Sequence, residues 1–519
     1  MYLNVGIIGS NCHGWYSLLD QEGIPYTIVA DKPSANELSV LIIPDSIEEK
    51  KIADVTSYLR EGGAAICSGF IFSKLSSSNV KESFIRYIIE EEDSHFRGAG
   101  LIDVGSVGYI PVCANHLRTN DGRFAVFVGE SNGGKIVVLP VDAGAIMLDH
   151  QAIVKSFYSN TRRLPFEKVS LVSKNGLLRL VSQSLRILHH ERGLPYIHKW
   201  YFPNSYRSVF AWRIDTDYSD ESEIENLYKI IEAYRIPATW FIDVKSQKDF
   251  LAMFKQMEKQ EIGLHCYEHA TYPDFDRNKD NIRTALELLR HHGIEVKGYA
   301  APFGYWNDKL GKVIDTFGFD YSSEFSYDYD NVPSYPLVGG IKSPTLQVPI
   351  HPVSIGSLRR IRFDESAMIQ YYQHLIENKL YVHEPVILYH HPKNISDDVL
   401  KAVFEYINNQ HLKIISVLDY SRWWKRRNDH NLQMTIEDQI LHVTISNPAA
   451  DVWLNIVMPN GRNTIAPIKP AIDFQNLVWT DTAAIARLPI DFERIRKFNP
   501  WIPFIGIQDK INGILFNRK

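Results

Sequence analysis

Two long stretches of the chain alternate short apolar runs with segments of helical periodicity. In the first, residues 1–150, runs such as Val40–Ile43 and Ala64–Cys67 are separated by amphipathic segments. This pattern is typical of buried parallel strands connected by helices. It predicts an open α/β domain, flavodoxin-like or amidotransferase-like, over 1–150, followed by a helical connector over 151–205.

The alternation of strands and helices returns after Tyr206. Repeated units of this kind predict a (β/α) barrel, which we expect in distorted form over 206–428. Beyond Trp423 and Trp424, which we interpret as packing at a domain boundary, the pattern changes to short strands with turns. This change predicts a β-sandwich over 429–519. The fold class predicted for the whole chain is therefore multidomain α/β.

One predicted strand, at 207–215, ends in charges that share a face. Arg213, Asp215 and Asp217 alternate with apolar residues and therefore leave the same side of an extended chain. Such a face is favoured when the charges meet a metal, each other or a substrate, because unpaired buried ions are costly. His265 and His269 can reach one ion from a single turn or loop, and one carboxylate would complete a three-ligand metal site.

Charge and length limit the possible partners. The 519 residues suggest roughly two to four domains. A net charge of −5 arises from well-mixed charges without a basic block, so we do not expect nucleic acid as a partner. The sequence does not indicate an oligomeric state.

Cysteine usage and the amino terminus indicate a location. The four cysteines lack C-x-x-C spacing, which predicts neither a disulfide framework nor a zinc knuckle and fits a reduced compartment. The first residues lack the basic and apolar regions of a signal peptide, and no apolar run reaches the roughly 20 residues of a membrane span. We therefore expect a cytoplasmic protein without a membrane span.

Five segments within about 206–428 resemble, in order, the motifs of the polysaccharide deacetylases (carbohydrate esterase family 4, the NodB-homology domain). The first contains Asp215 and Asp217, and the second is the His-x-x-x-His of His265 and His269. The segment Ala238-Thr-Trp-Phe241 is similar to the strand that usually lies between them. The remaining three are Ala301-Pro302-Phe303-Gly304-Tyr-Trp-Asn307, Gly318-Phe-Asp320-Tyr-Ser-Ser and Val386-Ile-Leu-Tyr-His390-His391-Pro392.

This resemblance implies a metal-dependent hydrolase that removes an N-linked acyl group, with acetyl as the first candidate, from a glycan or an activated sugar. The metal would be one divalent ion, zinc first, with cobalt, nickel or iron as alternatives. Its ligands would be Asp217, His265 and His269, and Asp215 would be the general base. The substrate would therefore be a carbohydrate that carries N-acetyl groups.

The later motifs imply further site residues. In the family a backbone N–H at the aromatic position of the third motif, here Phe303, stabilises the oxyanion, and Pro302, Gly304 and Asn307 belong to the same loop. A histidine protonates the leaving amine. We favour His391 for this role, because it precedes Pro392 and shares a strand face with Ile387 and Tyr389, and His390 is the second choice.

One position departs from the family pattern. Where the family places an arginine that holds the catalytic aspartate, this chain has Ala300. Arg213 could supply that cation, because alternate residues of a strand are neighbours. If it does not, the alternative is a weakened deacetylase-like domain that acts as a carbohydrate-binding module.

Three competing interpretations are less well supported. The sequence His265-x-x-Glu268-His269 also fits an inverted zinc-peptidase motif with Glu268 as base, but that motif needs a long helix. Cys67 follows a predicted strand as a nucleophile would, yet it lacks the Gly-x-Cys-x-Gly pattern, and we favour a structural thiol over an amidotransferase-like or redox role. His351 and the loop Tyr327–Asp330 could contact a sugar or simply pack a loop.

Overall fold

The computed structural model describes residues 2–76, 78–91, 95–394, 396–429, 431–481 and 489–516. The chain is a multidomain α/β protein, as the sequence predicts, with a mixed sheet, a parallel sheet and two small antiparallel sheets as its main layers. No helix among the described residues is long and apolar enough to cross a membrane.

The amino-terminal sheet has nine strands and is only partly parallel. Its parallel strands are Tyr26–Ile28, Val5–Ile7, Val40–Ile43, Ala64–Ser68 and Gly134–Leu139, in that spatial order. The remainder pair antiparallel, in the order Phe124–Ser131, His116–Thr119, Val80–Ile89 and Leu101–Pro111. The helices are His13–Glu22, Ile52–Arg60, Gly69–Ser76 and Ala143–Met147.

The antiparallel half corrects the prediction of an open parallel sheet. The strands Val40–Ile43 and Ala64–Ser68 are buried at every position, as expected for parallel strands covered by helices on both sides. By contrast, Val80–Ile89 mixes buried and exposed positions, and its charged residues Lys81, Glu82 and Arg86 are exposed. Such a strand can leave one face in water, which is typical of antiparallel pairing.

The connector contains more than the predicted helix. Its helix is Lys174–Glu191, and a hairpin of Ala152–Ser156 with Phe166–Ser170 precedes it. The strand Tyr196–Lys199 follows and pairs with Trp453–Val457 of the carboxy-terminal region. The connector therefore joins the neighbouring parts of the chain through backbone hydrogen bonds, which its local sequence does not reveal.

The central region is built on an eight-stranded, all-parallel sheet of half-barrel type. Its strands in spatial order are Leu346–Gln347, Tyr321–Ser322, Gly298–Tyr299, Glu261–Cys266, Thr239–Asp243, Ser208–Asp215 and Val386–His390, and Leu412–Ile414 also pairs with Ser208–Asp215. Its helices are Glu221–Ala233, Leu251–Phe254, Phe275–His291, Asp308–Phe317, Ile355–Arg360, Glu365–Tyr381, Asp397–Asn408 and Val417–Asn428.

The two faces of the strand Ser208–Asp215 serve different cores. Phe210, Trp212 and Ile214 pack with the helices around the sheet. Val209 and Ala211 belong to the large core that continues into the amino-terminal domain. Because the charged residues alternate with Trp212 and Ile214, they point away from the helical layer and toward the carboxyl edge of the strands, where (β/α) barrels place their sites.

The carboxy-terminal region contains two small sheets. One consists of Leu432–Glu437, Ile440–Ile445 and Ala471–Asp473, and the other of Tyr196–Lys199, Trp453–Val457, Arg462–Pro467 and Thr480–Asp481. Apolar residues of both, such as Leu441 and Leu454, share one buried cluster. The helix Trp501–Phe516, which the strand pattern did not predict, also lies within residues 429–519. Pro503 falls in its first turn, where proline is compatible with a helix.

Candidate active site

Asp215 and Arg213 form a buried ion pair at the end of the strand Ser208–Asp215. Arg213 Nε lies 2.7 Å from Asp215 Oδ1, and Nη2 lies 2.7 Å from Oδ2. Arg213 Nη1 also donates to the carbonyl and the hydroxyl of Ser323, at 2.6 and 3.1 Å. Arg213 therefore holds Asp215 in one orientation from the same strand. Ala300 is fully buried and offers only its backbone to this site.

Asp217, His265 and His269 converge on one point. We call them the Asp217 group, and their potential ligand atoms all lie within 4.8 Å of one another. His265 Nε2 is 3.0 Å from Asp217 Oδ1, and His269 Nε2 is 3.2 Å from Oδ2. These separations suit ion pairs, yet both Nε2 atoms and Oδ1 are buried without a properly oriented hydrogen bond to any described residue.

The orientation of His265 suits a metal ligand. Its Nδ1 lies 2.7 Å from the carbonyl of Ala300, which fixes Nε2 toward Asp217. Metal-bound histidines usually donate their second ring N–H to a carbonyl or carboxylate in this way. Two nitrogens and a carboxylate oxygen, all buried and unsatisfied, are a donor set that zinc and related divalent ions accept, so the residues fit the metal that the family implies.

The charges of the Asp217 group depend on one another. Burial by itself would raise the pKa of Asp217, but His265 and the contacts from His269 and His391 lower it far below the ordinary range. Burial would likewise lower the pKa of His265, and Asp217 raises it above its ordinary value. The carboxylate is therefore ionised in this pocket, as a metal ligand must be.

The third motif forms a tight loop beside His269. Phe303 has a φ of 59°, and its ring lies 4.8 Å from that of His269. Gly304 also has a positive φ, of 60°, and a Cβ there would come within 2.4 Å of the ring of Phe325. Only glycine fits this second position without displacing the aromatic ring. Pro302 is buried beneath the loop.

Asn307 caps a helix and binds the backbone of a neighbouring loop. Its Oδ1 accepts from Leu310 N at 2.9 Å, as the amino-terminal cap of the helix Asp308–Phe317, and its Nδ2 donates to the carbonyl of Tyr272 at 3.2 Å. It does not line the cleft around Asp217. Asn307 therefore orients the loop and does not contact the space where a substrate would bind.

The two adjacent histidines lie on opposite faces of their strand. His391 reaches the cleft, with Nε2 3.4 Å from Asp217 Oδ2. His390 is fully buried on the other side, 6.2 Å from the ring of Trp212, and burial lowers its pKa well below the ordinary value. The structure therefore places His390, the predicted second choice, outside the cleft, because alternation turns it toward the helices.

An open cleft of about 420 Å³ connects these residues with side chains that the sequence did not single out. Glu167 and Lys168 line it from the connector hairpin, although they precede the family-like segment. Burial raises the pKa of Glu167. Tyr218 and Tyr305 add exposed aromatic faces, which can stack on a sugar ring. A hairpin outside the barrel thus supplies one wall of the cleft.

The residues of the three competing interpretations do not have the surroundings that those interpretations require. Glu268 is exposed and pairs with Lys245 at 2.9 Å, and His265 lies on a strand, so the inverted peptidase arrangement is absent from this segment. Cys67 is buried, and burial raises the pKa of its thiol. His351 is buried against Asp330 and Tyr371 and does not reach the cleft.

Comparison with known proteins supports the family resemblance. Residues 209–322 match the family model described as polysaccharide deacetylase. No curated protein sequence matches the chain. Residues 209–322 therefore carry the polysaccharide deacetylase sequence pattern, and the match contains Asp215, Asp217, His265, His269 and Phe303.

Solved structures show weaker likeness. A Mycobacterium smegmatis protein described as a polysaccharide deacetylase is 16% identical, with a TM-score of 0.36, over 43% of this chain and 93% of its own. A Pseudomonas aeruginosa protein described in the same way is 14% identical, with a TM-score of 0.36, over 43% and 92%. A family 4 esterase pseudoenzyme from Bacillus anthracis is 16% identical, with a TM-score of 0.30, over 41% and 65%. The assignment rests on the family model and not on these low values.

Proposed function

We propose that the protein hydrolyses an N-linked acyl group, acetyl first, of a sugar or polysaccharide, with one divalent ion held by Asp217, His265 and His269. The observation that carries this proposal is the set of buried, unsatisfied ligand atoms beside an ordered carboxylate, within the segment that matches the family. Zinc is the first candidate for the metal, with cobalt, nickel and iron as alternatives.

The metal, when bound, would polarise the acyl carbonyl and lower the pKa of a coordinated water toward neutrality. Asp215 would accept a proton from that water. Both its oxygens already accept from Arg213, but a carboxylate has about four lone-pair sites, so capacity for a further proton donor is left. Its basicity and fixed orientation are what general-base catalysis requires.

Arg213 takes the place of the arginine that the family has near Ala300. Its two contacts with Asp215 are the bidentate geometry that best orients a carboxylate. Ser323, from the fourth motif, holds the remaining arm of the guanidinium. This arrangement supports an active enzyme, because Arg213, on the same strand as Asp215, supplies the cation that is missing at Ala300.

His391 and Phe303 complete the proposed chemistry. His391 is partly exposed in the cleft, with Nε2 3.4 Å from Asp217 Oδ2, and would carry a proton to the leaving amine. The family implies that the backbone N–H of Phe303 donates to the developing oxyanion. A backbone donor is unaffected by the presence of phenylalanine in place of tyrosine at this position.

A screen for released acetate tests the proposal. The full-length protein would be assayed on N-acetylglucosamine, its oligomers and nucleotide-activated N-acetyl sugars, before and after removal of metal with a chelator. We expect release that stops on chelation and returns with zinc, cobalt, nickel or iron. A protein that releases no acetate in any arm, with stoichiometric metal bound, would contradict the activity while leaving the metal site intact.

The second candidate is a carbohydrate-binding domain without catalysis, and Ala300 is the observation that favours it. In that case glycans would bind, and Ala300→Arg alone would create activity. The bidentate ion pair between Arg213 and Asp215 argues against this outcome, because Arg213 already supplies the cation.

A further inference from the structure

A second cleft, of about 590 Å³, lies where three parts of the chain meet. One wall is the connector helix Lys174–Glu191, another is the barrel segment Tyr381–Glu384, and a third includes Asn455 and Val457 of the carboxy-terminal region. Among the described residues it shares no lining residue with the cleft at Asp217. Clefts of this size at domain interfaces are common ligand sites.

One face of the connector helix points into this cleft with unsatisfied polar atoms. Arg179, Gln183 and Arg186 follow one another at helical spacing and all line it. Arg179 donates to Glu384 and to Ala99, but its Nε is buried without a partner among the described residues. Gln183 donates from Nε2 to the carbonyl of Arg97 at 2.8 Å, while its Oε1 is likewise buried and unpartnered.

Arg186 has no hydrogen bond or ion pair with any residue that the structure describes, although it is half-buried. Burial lowers the pKa of its guanidinium, and the charge of Glu22 only partly opposes this. Glu22 is itself engaged, since it accepts from Ser182, Tyr196 and Tyr201. An arginine stays charged in proteins, so a half-buried guanidinium without a protein partner is available to bind an anion.

Three cations and two carboxylates line the cleft. Its cations are Arg97, Arg179 and Arg186, and its carboxylates are Glu384 and Asp481. Glu384 also binds Lys379, at 3.3 Å, and is therefore shared with a cation outside the cleft. The lining histidines His198 and His383 do not add charge at neutral pH, because burial lowers the pKa of both, to about 4 for His383.

We propose that this cleft binds a small hydroxylated anion, namely a phosphorylated or carboxylated sugar. Its anionic group would contact Arg186 and the free Nε of Arg179, since guanidinium groups match the geometry of phosphate and carboxylate oxygens. A hydroxyl of the ligand would donate to Gln183 Oε1, which can only accept. The site is independent of the proposed deacetylase chemistry and uses none of its residues.

Calorimetry and thermal unfolding of the full-length protein would test the site. The probes are glucose 6-phosphate and glucuronate, with inorganic phosphate and glucose as controls, each up to about 10 mM. We expect saturable binding and a raised Tm with at least one sugar anion, weaker binding of phosphate, and none of glucose. Equal binding of inorganic phosphate and glucose 6-phosphate would overturn the sugar part of the proposal, and no binding of either sugar anion would overturn all of it.

Variants of Arg186 and Gln183 separate a role in anion binding from a purely structural role, because anion affinity and the Tm of the ligand-free protein should change differently. Arg186→Gln should weaken binding at least roughly tenfold and raise the Tm of the ligand-free protein, because an unpartnered charge is removed. Gln183→Glu should abolish binding, because the new carboxylate would repel the anion and pair with the neighbouring arginines. A lower ligand-free Tm in Arg186→Gln, with unchanged binding, would contradict the proposal.

Arg192, at the end of the same helix, is the matched control. Its guanidinium donates to the carbonyls of Ala35, Leu38 and Ser39 and is thereby satisfied within the protein. Arg192→Gln should therefore lower the Tm and leave anion binding unchanged. If Arg192→Gln abolished binding as fully as Arg186→Gln, the effect would be structural and the assignment of the cleft would fail.

Discussion

Two buried clusters of histidine and carboxylate occur in the barrel, and they differ in what their polar atoms contact. In the Asp217 group, three ligand atoms have no properly oriented partner, and Asp217 and His265 line an open cleft. In the second cluster, which we call the Asp330 network (Asp330, His351, Tyr371, Lys379 and Glu384), the acidic, basic and hydroxyl groups bind one another.

The contacts of the Asp330 network leave little for a ligand. His351 Nδ1 is 3.0 Å from both oxygens of Asp330, and its Nε2 is 2.8 Å from the hydroxyl of Tyr371. Lys379 Nζ lies 2.6 Å from Asp330. A histidine beside an aspartate is thus not by itself evidence of a site. The distinguishing feature is whether buried polar atoms remain unsatisfied, because such atoms are costly unless a ligand meets them.

The largest expected effect is loss of the metal. Asp217→Ala, His265→Ala and His269→Ala should each abolish metal binding, because a three-ligand site loses most of its affinity with any ligand. Metal content would be measured by mass spectrometry of the purified proteins. Glu268→Gln is the control and should keep its metal, since Glu268 points to Lys245. Loss of metal in this control would restore the inverted peptidase interpretation.

In the Asp330 network the corresponding substitution should lower the free energy of unfolding and leave the metal content unchanged. Asp330→Asn leaves Lys379 and His351 with a neutral partner, and breaking a buried ion pair costs about 3 kcal/mol or more of unfolding free energy. Urea unfolding would measure this loss, with metal content as the second readout. Reduced metal in Asp330→Asn, at unchanged stability, would reverse the roles of the two clusters.

Removal of the base should stop turnover while the metal stays. Asp215→Asn keeps the size of the side chain and removes its basicity, so acetate release should fall about 100-fold or more. The metal content of the same preparation shows whether the site is otherwise intact. Full activity in Asp215→Asn would contradict the assignment of Asp215 as general base.

A smaller effect is expected from the cation that orients Asp215. Arg213→Ala should slow the reaction roughly 10- to 100-fold, because a misplaced base loses its alignment with the substrate. Ala300→Arg in that variant should restore part of the rate, and in the unmodified protein it should help little. Arg213→Ala with an unchanged rate, together with activity created by Ala300→Arg alone, would support the carbohydrate-binding alternative.

The smallest expected effect is a pH dependence of stability from the Asp330 network. Burial would raise the pKa of Asp330, but His351 and Lys379 lower it to about 2, below its ordinary value. A lowered pKa gives stability that is present above pH 4 and lost as the pH falls toward 2, by roughly 2 kcal/mol. The stability difference between the unmodified protein and Asp330→Asn should shrink in that window. A constant difference down to pH 2 would contradict this account.

The local pattern of the sequence explains why part of the site could be predicted. The alternation of a strand places Arg213 and Asp215 on one side and Trp212 on the other, and the structure has this arrangement. The same alternation separates His391 from His390. These features depend only on neighbouring residues, so a single segment contains the information.

Other features depend on contacts between distant segments. Glu167 and Lys168 reach the cleft because the hairpin of the connector folds onto the barrel, and nothing in their own sequence indicates that approach. The strand Tyr196–Lys199 pairs with residues more than 250 positions away. The antiparallel half of the first sheet likewise depends on the pairing of whole strands. The motifs therefore predict the centre of the site, and tertiary packing determines its walls.

We propose that the Asp217 group holds one divalent metal that supports acyl hydrolysis. The most direct measurement is the metal content per chain of the full-length protein, purified without chelator, together with acetate release from N-acetylated sugars by the same sample. We expect about one equivalent of zinc or a related ion, and activity that is lost when the ion is removed and regained when it is restored. A protein without bound metal that also fails to take up zinc, cobalt, nickel or iron would contradict the account.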